Sequence, residues 1–153
     1  MGCGGGNFCP EANVTREQMA IFIERALGVV TPPSPSGQRF GDVPPTRMSY
    51  PFVEDFARRG ITAGCSQSLF CPTSSVTREQ MAIFVMRSLG VFDPPMPGVP
   101  TFQDVPPNSL AYEFVEALYA RGITTGCATG YYCPTADVTR EQMAVFLVRA
   151  FGL

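Results

Sequence analysis

The sequence predicts a mainly α-helical protein of repeated helix–loop–helix units, with at most short β-bridges. Three observations support this fold class. The string VTREQMA recurs at a step of 62 residues, beginning at Val14, Val76 and Val138. Each copy opens with a helix-capping pattern and continues with apolar residues at helical spacing. A shorter apolar stripe of helical period precedes this pattern in each complete unit.

The repeat also predicts the organisation of the chain. Placing the last two copies over each other, residue 40 on residue 102, needs no gap and gives 28 identities in 52 positions. The first copy begins in the middle of a unit, because Gly2 aligns with Gly64. We therefore expect a half unit, two complete units and two Pro-rich linkers, at residues 2–29 (unit 1), 40–91 (unit 2), 102–153 (unit 3), 30–39 and 92–101.

The second helix of each unit has start and stop signals. Thr77 is a predicted N-cap, Gln80 completes a capping box, and Gly90 provides a left-handed stop. The same capping pairs recur as Thr15 with Gln18 and Thr139 with Gln142. An arginine in the last turn of each helix is interpreted as a favourable contact with the helix C-terminus; these arginines are Arg25, Arg87 and Arg149.

The first helix of each complete unit is predicted over 50–59 and 110–121. Ser49 or Ser109 could cap it, and Gly60 or Gly122 ends it. Its apolar stripe consists of Phe52, Val53 and Phe56 in unit 2, and of Phe114, Val115 and Leu118 in unit 3. A pair of such helices cannot bury both stripes alone, so units must stack. We expect two equivalent sets in the shared interior: Phe22, Phe84 and Phe146, and Met19, Met81 and Met143.

The six cysteines also follow the repeat. Each pair encloses five residues within one unit, so we expect three local disulfides: Cys3–Cys9, Cys65–Cys71 and Cys127–Cys133. Disulfides indicate an oxidising compartment, and therefore export. The alternative, a zinc site, has no His ligand available and the wrong spacing for a zinc knuckle. The C-x-x-C spacing of redox catalysts is absent as well.

Composition limits the possible functions. The net charge is −2, so the chain lacks the basic field that holds nucleic acid. There is no Lys, which excludes lysine chemistry such as a Schiff base. The sequence has no apolar run long enough for a membrane span. It has no His, and no residue pattern indicates a cofactor or a metal ion. Glu54 and Asp55 are paired carboxylates, but successive helical residues do not face each other. We therefore do not expect an enzyme.

These residues resemble the S-layer homology family, with an intra-repeat disulfide added. The matching order in unit 2 is an FxDVP motif at Phe40, an amphipathic helix, GITAG at Gly60, a loop ending in Phe70-Cys71-Pro72, and VTR at Val76. Unit 3 repeats this order from Phe102 to Arg140. The resemblance covers nearly all of the chain outside the linkers.

The resemblance implies a pseudo-threefold helical bundle on the bacterial cell surface. Such modules bind an acidic, often pyruvylated, cell-wall polysaccharide in grooves between units. The family's Thr-Arg motif maps onto Thr15-Arg16, Thr77-Arg78 and Thr139-Arg140, although the next two residues are Glu-Gln instead of Ala-Glu. The expected ligand-binding set consists of these six residues together with Asp42 and Asp104 of the FxDVP motif.

The position of the arginines supports this expectation. Each follows an N-cap, beside unpaired backbone N–H groups at a positive helix end, where its planar fork suits a carboxylate. We expect the two grooves with complete neighbours to contain Arg78 and Arg140. The alternative is that Glu17, Glu79 and Glu141, or Asp42 and Asp104, neutralise these arginines.

A second function remains open. The half unit lacks its first helix, which predicts an uncovered apolar surface that another copy of the chain could cover. The alternative to wall binding is therefore a structural module that self-associates in an extracellular layer or filament.

Overall fold

The computed structural model describes residues 3–153, so Gly2, the first residue of the predicted half unit, lies outside the described residues. The described part forms five helices: α1 (Arg16–Ala26), α2 (Tyr50–Arg58), α3 (Arg78–Ser88), α4 (Tyr112–Ala120) and α5 (Arg140–Phe151). Its β-structure consists of isolated bridges. The predicted fold class is confirmed. No helix among these residues is long and apolar enough to cross a membrane.

The second helix of each unit begins as predicted. The threonine before each of α1, α3 and α5 accepts a hydrogen bond from the backbone N–H three residues on. The capping box is complete at α1 and α5. At α3 the reciprocal bond expected from Gln80 is not formed, because its Oε1 accepts a hydrogen bond from Arg16 Nη1 at 3.4 Å instead. The glycine stop is confirmed at Gly90, where φ is 80°.

The first helices, α2 and α4, are slightly shorter than predicted. Both are followed by the expected glycine, with φ of 74° at Gly60 and 69° at Gly122. Neither predicted serine cap forms. The Ser49 hydroxyl donates to Glu17 instead, and Ser109 Oγ accepts from the N–H of Ala111, which is the N-cap residue of α4.

All three expected disulfides are present, each joining Cα atoms 6.0 Å apart. Each closes a loop that also contains a single antiparallel bridge. The second and third loops need glycine at their start. A Cβ on Gly64 would lie 2.4 Å from the Leu69 carbonyl oxygen, and one on Gly126 would lie 2.3 Å from that of Tyr131.

A closed ring of hydrogen bonds joins the three units. Val14 N–H donates to the Val138 carbonyl at 2.9 Å, Val138 to Val76 at 2.9 Å, and Val76 to Val14 at 3.0 Å. All three valines are fully buried. Since each residue donates to one equivalent and accepts from the other, the three units are arranged around a pseudo-threefold axis.

The helices pack across the unit boundaries, because the first helix of one unit lies against the second helix of the unit before it. Thus α2 packs on α1, and α4 packs on α3. Both predicted stripes are buried: Phe52, Val53, Phe56, Phe114, Val115 and Leu118.

The two predicted interior sets are buried with one exception. Met19, Met81, Met143, Phe84 and Phe146 are buried. Phe22, at the position equivalent to Phe84, is only half-buried, which corrects the prediction. Phe84 packs edge-on against Phe56 of its own first helix, at 5.4 Å between ring centroids. Unit 1 as described contains no equivalent helix, so Phe22 lacks this neighbour.

The helix α5 has an uncovered face for the same reason. Val145 and Val148 are 48% and 49% exposed. Ile21 and Glu24, their equivalents on α1, are buried beneath α2. The pattern of the other two helix pairs shows that this face of α5 is where a first helix would lie.

Candidate functional site

The three arginines of the predicted ligand set are the first residues of α1, α3 and α5, and all are buried. Each reaches into the disulfide loop of the next unit in the ring. The Nε atoms of Arg16, Arg78 and Arg140 donate to the carbonyl oxygens of Phe70, Tyr132 and Phe8, each at 2.7 Å. Each arginine therefore ties two units together.

Aromatic rings hold each guanidinium from two sides. The Arg16 guanidinium carbon lies 4.9 Å from the ring centroid of Phe70 and 5.3 Å from that of Phe84. The other two arginines repeat this arrangement: Arg78 with Tyr132 and Phe146, and Arg140 with Phe8 and Phe22. Such cation–π contacts strengthen when water is excluded, so the arginines are fixed in place. Burial lowers the pKa of Arg16, and the Asp42 carboxylate acts in the opposite direction.

The helix N-termini are not free to bind an anion. The N–H groups of Arg16 and Glu17 donate to the Ser74 and Pro72 carbonyls of the next unit, and the Gln18 N–H donates to Thr15. The starts of α3 and α5 repeat the two bonds between units. The expectation of unpaired N–H groups beside each arginine is therefore wrong. The predicted threonines contribute as helix caps.

The two predicted aspartates hold the disulfide loops. Asp42 accepts hydrogen bonds from the Phe70 and Cys71 backbone N–H groups at 2.8 and 2.7 Å. Asp104 makes the same two bonds, with Tyr132 and Cys133. Both carboxylate oxygens are thus used in positioning the loop whose carbonyl receives the arginine.

The carboxylates named in the alternative form no ion pair with Arg16 or Arg78 among the described residues, although Asp42 acts electrostatically on Arg16. Glu17 pairs with Arg47 at 2.8 Å and accepts a bond from Ser49, and these contacts lower the pKa of Glu17 despite its partial burial. Arg16 and Arg78 donate their hydrogen bonds to carbonyl oxygens. In both residues Nη2 is buried and has no hydrogen-bond partner among the described residues.

Each of these two arginines lines a groove. The groove at Arg16, of about 510 Å³, is bordered by α3 and the start of the second disulfide loop. The groove at Arg78, of about 290 Å³, is bordered by α5 and the third loop. Nine lining positions recur at the 62-residue step; in the first groove they are Arg16, Thr62, Ala63, Gly64, Cys65, Gln80, Ile83, Phe84 and Arg87.

The grooves with complete neighbours therefore contain Arg16 and Arg78, and not Arg78 and Arg140 as expected. The reason is the direction of the ring. Each arginine faces the unit that follows it, so Arg140 faces the half unit, while Arg16 faces unit 2. The repeat contains the residues of the grooves, but only the ring shows which unit faces which.

Sequence reasoning missed several of the lining residues. Gln80 and Gln142 were assigned only to capping, and Arg87 and Arg149 only to the helix C-terminus, yet all four border the grooves. The sequence could have indicated these residues, because they recur at the 62-residue step on the helix face that carries Phe84 and Phe146.

The S-layer homology domain model matches residues 39–82 and 101–144, more than half of the chain. The chain belongs to the S-layer homology family. It is accordingly a cell-surface anchoring module, located outside the cell on the bacterial surface. The matched segments are the FxDVP, GIT and VTR motifs of units 2 and 3 with the helices between them.

Several known proteins are similar to this chain over most of its length. An endoglucanase of a Bacillus species is 34% identical over 87% of the chain, and an S-layer protein of Bacillus licheniformis is 25% identical over 82%. A cellulosome-anchoring protein of Acetivibrio thermocellus is 23% identical over 97%. The chain spans only 14%, 14% and 34% of these proteins, respectively.

Proposed function

We propose that this module anchors a larger protein by binding an acidic, pyruvylated cell-wall polysaccharide in the grooves between its units. One observation carries the proposal. Two equivalent grooves are each lined by an arginine that forms no ion pair with a carboxylate among the described residues. A carboxylate that enters the groove would be attracted by this positive charge, and the attraction is stronger where water is excluded. The module itself catalyses no reaction.

In this proposal Arg16 and Arg78 contact the ligand, and Arg140 occupies the equivalent position against the half unit. The threonine caps and the two aspartates act indirectly, by fixing the helix starts and the disulfide loops against which the arginines rest. The half unit 2–29 and units 40–91 and 102–153 form one binding module, held together across the linkers by the valine ring.

The first test is binding to purified sacculi before and after the wall polysaccharide is removed. We expect retention only on intact sacculi. Arg78→Lys keeps the charge and loses the planar fork, so it should weaken binding at its groove by roughly 10- to 150-fold, the loss of one charge-assisted hydrogen bond. Arg121→Lys, at an exposed position, is the matched control.

Each variant must keep the parent's circular dichroism spectrum and melting transition, because Arg78 also joins two units. A folded Arg16→Lys, Arg78→Lys double variant that binds sacculi as the parent does would show that these arginines are structural. Equal retention on stripped sacculi would show that the polysaccharide is not the ligand.

A second candidate function is self-association, favoured by the uncovered face of α5. Two valines on this face are about half exposed, whereas the equivalent faces of α1 and α3 are covered by a helix. A second copy of the chain could cover the face through its own α5 in a two-fold contact.

Sedimentation at micromolar concentrations tests this candidate. We expect dimers that dissociate in the Val148→Asp variant and persist in Val30→Asp, a control at a linker position that is 75% exposed. A parent that sediments as a monomer would contradict self-association and leave the wall-binding proposal unaffected.

A further inference from the structure

The first disulfide loop, residues 3–9, has the same backbone conformation as the other two loops. The Cys3 N–H donates to the Asn7 carbonyl at 2.9 Å, as the Cys65 N–H does to the Leu69 carbonyl at 2.8 Å. The cysteine that ends each loop lies in the left-handed region, with φ of 55° at Cys9 and of 58° and 59° at its equivalents. All three loops therefore present the same backbone groups in the same arrangement.

In units 2 and 3 this arrangement binds the Phe-x-Asp segment that opens the FxDVP motif. In unit 2 the Asp42 carboxylate accepts the two N–H groups at the end of the loop, at 2.8 and 2.7 Å. The Gly41 N–H donates to the Ser68 carbonyl at 2.9 Å. The rings of Phe40 and Phe70 lie 5.5 Å apart. Unit 3 repeats every one of these contacts.

The same groups of the first loop have no such segment to bind among the described residues. The N–H groups of Phe8 and Cys9 and the carbonyl of Gly6 form no hydrogen bond within residues 3–153. Phe8 is 49% exposed, whereas the equivalent Phe70 is fully buried. The Phe8 backbone is nevertheless held in place, because its carbonyl accepts a bond from Arg140. This end of the first loop is thus preformed and accessible.

The exposed face of α5 lies where the same segment would continue. In units 2 and 3 the FxDVP motif leads into a first helix, which packs on the second helix of the unit before it in the ring. For the first loop that second helix is α5, since the Glu141 N–H donates to the Pro10 carbonyl at 3.0 Å. Val145 and Val148, both about half exposed, are on the uncovered face of α5.

We propose that the first disulfide loop and the valine face of α5 form one docking surface. Its partner is a second polypeptide that supplies a Phe-x-Asp segment followed by an amphipathic helix. The N–H groups of Phe8 and Cys9 bind the aspartate carboxylate, and the Phe8 ring contacts the partner's phenylalanine. A second copy of this chain is not the partner, because its α2 and α4 are both packed within their own molecule.

The surface favours one kind of partner helix. Val148 occupies the position of Glu24 in α1 and of Met86 in α3, so α5 resembles α3 in being apolar there. The helix that packs on α3 is α4, which has Ala117 where α2 has Asp55. The partner helix should therefore be apolar at this position. Such a helix and the two-fold α5 contact considered above exclude each other, since both cover the same face.

A peptide with the sequence of residues 102–122 is the probe for this surface. Fluorescence anisotropy of the labelled peptide should show saturable binding to the protein with its disulfides intact. Asp104→Asn in the peptide should weaken binding about tenfold, because the acceptor loses its charge. Phe102→Ala should weaken it about tenfold or more, through the lost ring contact and burial. Asn108→Ala, at an exposed position that forms no hydrogen bond, is the matched control.

The helix part of the surface is tested on the protein. Val148→Asp should weaken peptide binding about tenfold or more, because it places a charge in an apolar contact, and Val30→Asp is the control at an exposed linker position. A peptide of residues 40–60, which carries Asp55, should bind more weakly than that of residues 102–122.

Three results would overturn the proposal. Absence of saturable binding would refute the docking surface, and equal binding of the Asp104→Asn peptide would refute the carboxylate site. Dimers that persist in sedimentation at saturating peptide would show that a second copy covers α5. The assays contain no wall polymer, so the proposed wall binding is tested separately.

Discussion

The two helix pairs α1–α2 and α3–α4 occupy equivalent positions but differ in chemistry at their centres. In the first pair Glu24 is fully buried, with Oε2 3.4 Å from Arg59 Nε, and Asp55 accepts from the same Nε at 2.8 Å. In the second pair the residues at the glutamate and aspartate positions are Met86 and Ala117. The apolar stripe that both pairs share is therefore sufficient for this packing, and the ionic cluster is an addition to it.

The two carboxylates of the cluster titrate in opposite directions. Burial raises the pKa of Glu24 to about 7; Arg59 counteracts this and the neighbouring Asp55 adds to it. Burial acts on Asp55 in the same direction, but hydrogen bonds from Arg59 and Arg58 outweigh it and lower the pKa of Asp55. Both carboxylate oxygens of Glu24 lack hydrogen-bond partners within the described part of the chain. The ionised form of Glu24 is therefore stabilised only weakly.

The largest effect is expected where the two pairs meet. Phe84 of α3 packs edge-on against Phe56 of α2, so it joins one pair to the other. Phe84→Ala should lower the free energy of unfolding by about 3–5 kcal/mol, measured by urea denaturation with the disulfides intact. The half-buried Phe22 is the control, and Phe22→Ala should cost clearly less. Equal costs would contradict the packing described for unit 1.

The next effect separates the ionic pair from the apolar one. Arg59→Leu removes the cation that serves both buried carboxylates, and this should cost up to about 3 kcal/mol at pH 8. The expected value lies at the low end for a buried pair, because the Arg59 side chain is 34% exposed. Arg121→Leu, the exposed equivalent in the α3–α4 pair, should be nearly neutral. If Arg59→Leu leaves the free energy of unfolding unchanged, water already stabilises the ionised Glu24.

A smaller effect comes from converting the first pair into the second. Methionine fits the equivalent position on α3, so Glu24→Met should raise the free energy of unfolding at pH 8 by roughly 1–2 kcal/mol, within the gain known for replacing buried ions. Arg59 would keep its bond to Asp55. Met86→Leu, which keeps an apolar residue in α3, is the control.

The sign of the pH dependence checks the same assignment. The pKa of Glu24 is raised from 4.5 in the unfolded chain to about 7 in the folded one, so its contribution to stability is complete below pH 4.5 and is lost as the pH rises through 7. The melting temperature of the parent should fall over this range, and that of Glu24→Met should fall less. Asp55 acts only at lower pH, because its pKa is depressed below 3.8. If the melting temperatures of the two proteins change in parallel with pH, the raised pKa assigned to Glu24 is wrong.

Much of this fold could be predicted because its signals are local. The Thr15 cap, the Gly90 stop and the Cys65–Cys71 pairing depend on residues within a few positions of each other. The ring of valines could not be predicted in the same way. It depends on which unit donates to which, and identical VTREQMA strings carry no information about that direction.

The candidate site was predicted in part, for a related reason. The motif located Arg16 and Arg78. Their burial could not be predicted, because the carbonyl oxygens that they contact lie 54 residues away in sequence. Glu24 shows the same limit. A glutamate in a helical pattern is ordinarily read as a solvent-exposed residue, and only the packing of α2 on α1 buries it.

The smallest effect concerns the linkers that lead into the two helix pairs. Glu54 of α2 accepts the backbone N–H of Arg39 at 2.8 Å, and Glu116 of α4 accepts that of Thr101 at 2.8 Å. The second linker makes one bond more, because the Thr101 hydroxyl also donates to Glu116 at 2.7 Å. Thr101→Val keeps the shape and the N–H group and removes this single donor.

We expect Thr101→Val to cost about 1 kcal/mol, below the value usual for a bond to a charged group, because Thr101 is partly exposed and water can replace the hydroxyl. Arg39→Val, which removes no hydrogen bond to Glu54, is the control and should cost less. Urea denaturation of both variants measures the difference. If the two costs are equal, the hydroxyl contributes nothing, and the linkers of the ionic and the apolar pair are anchored equally by one backbone bond each.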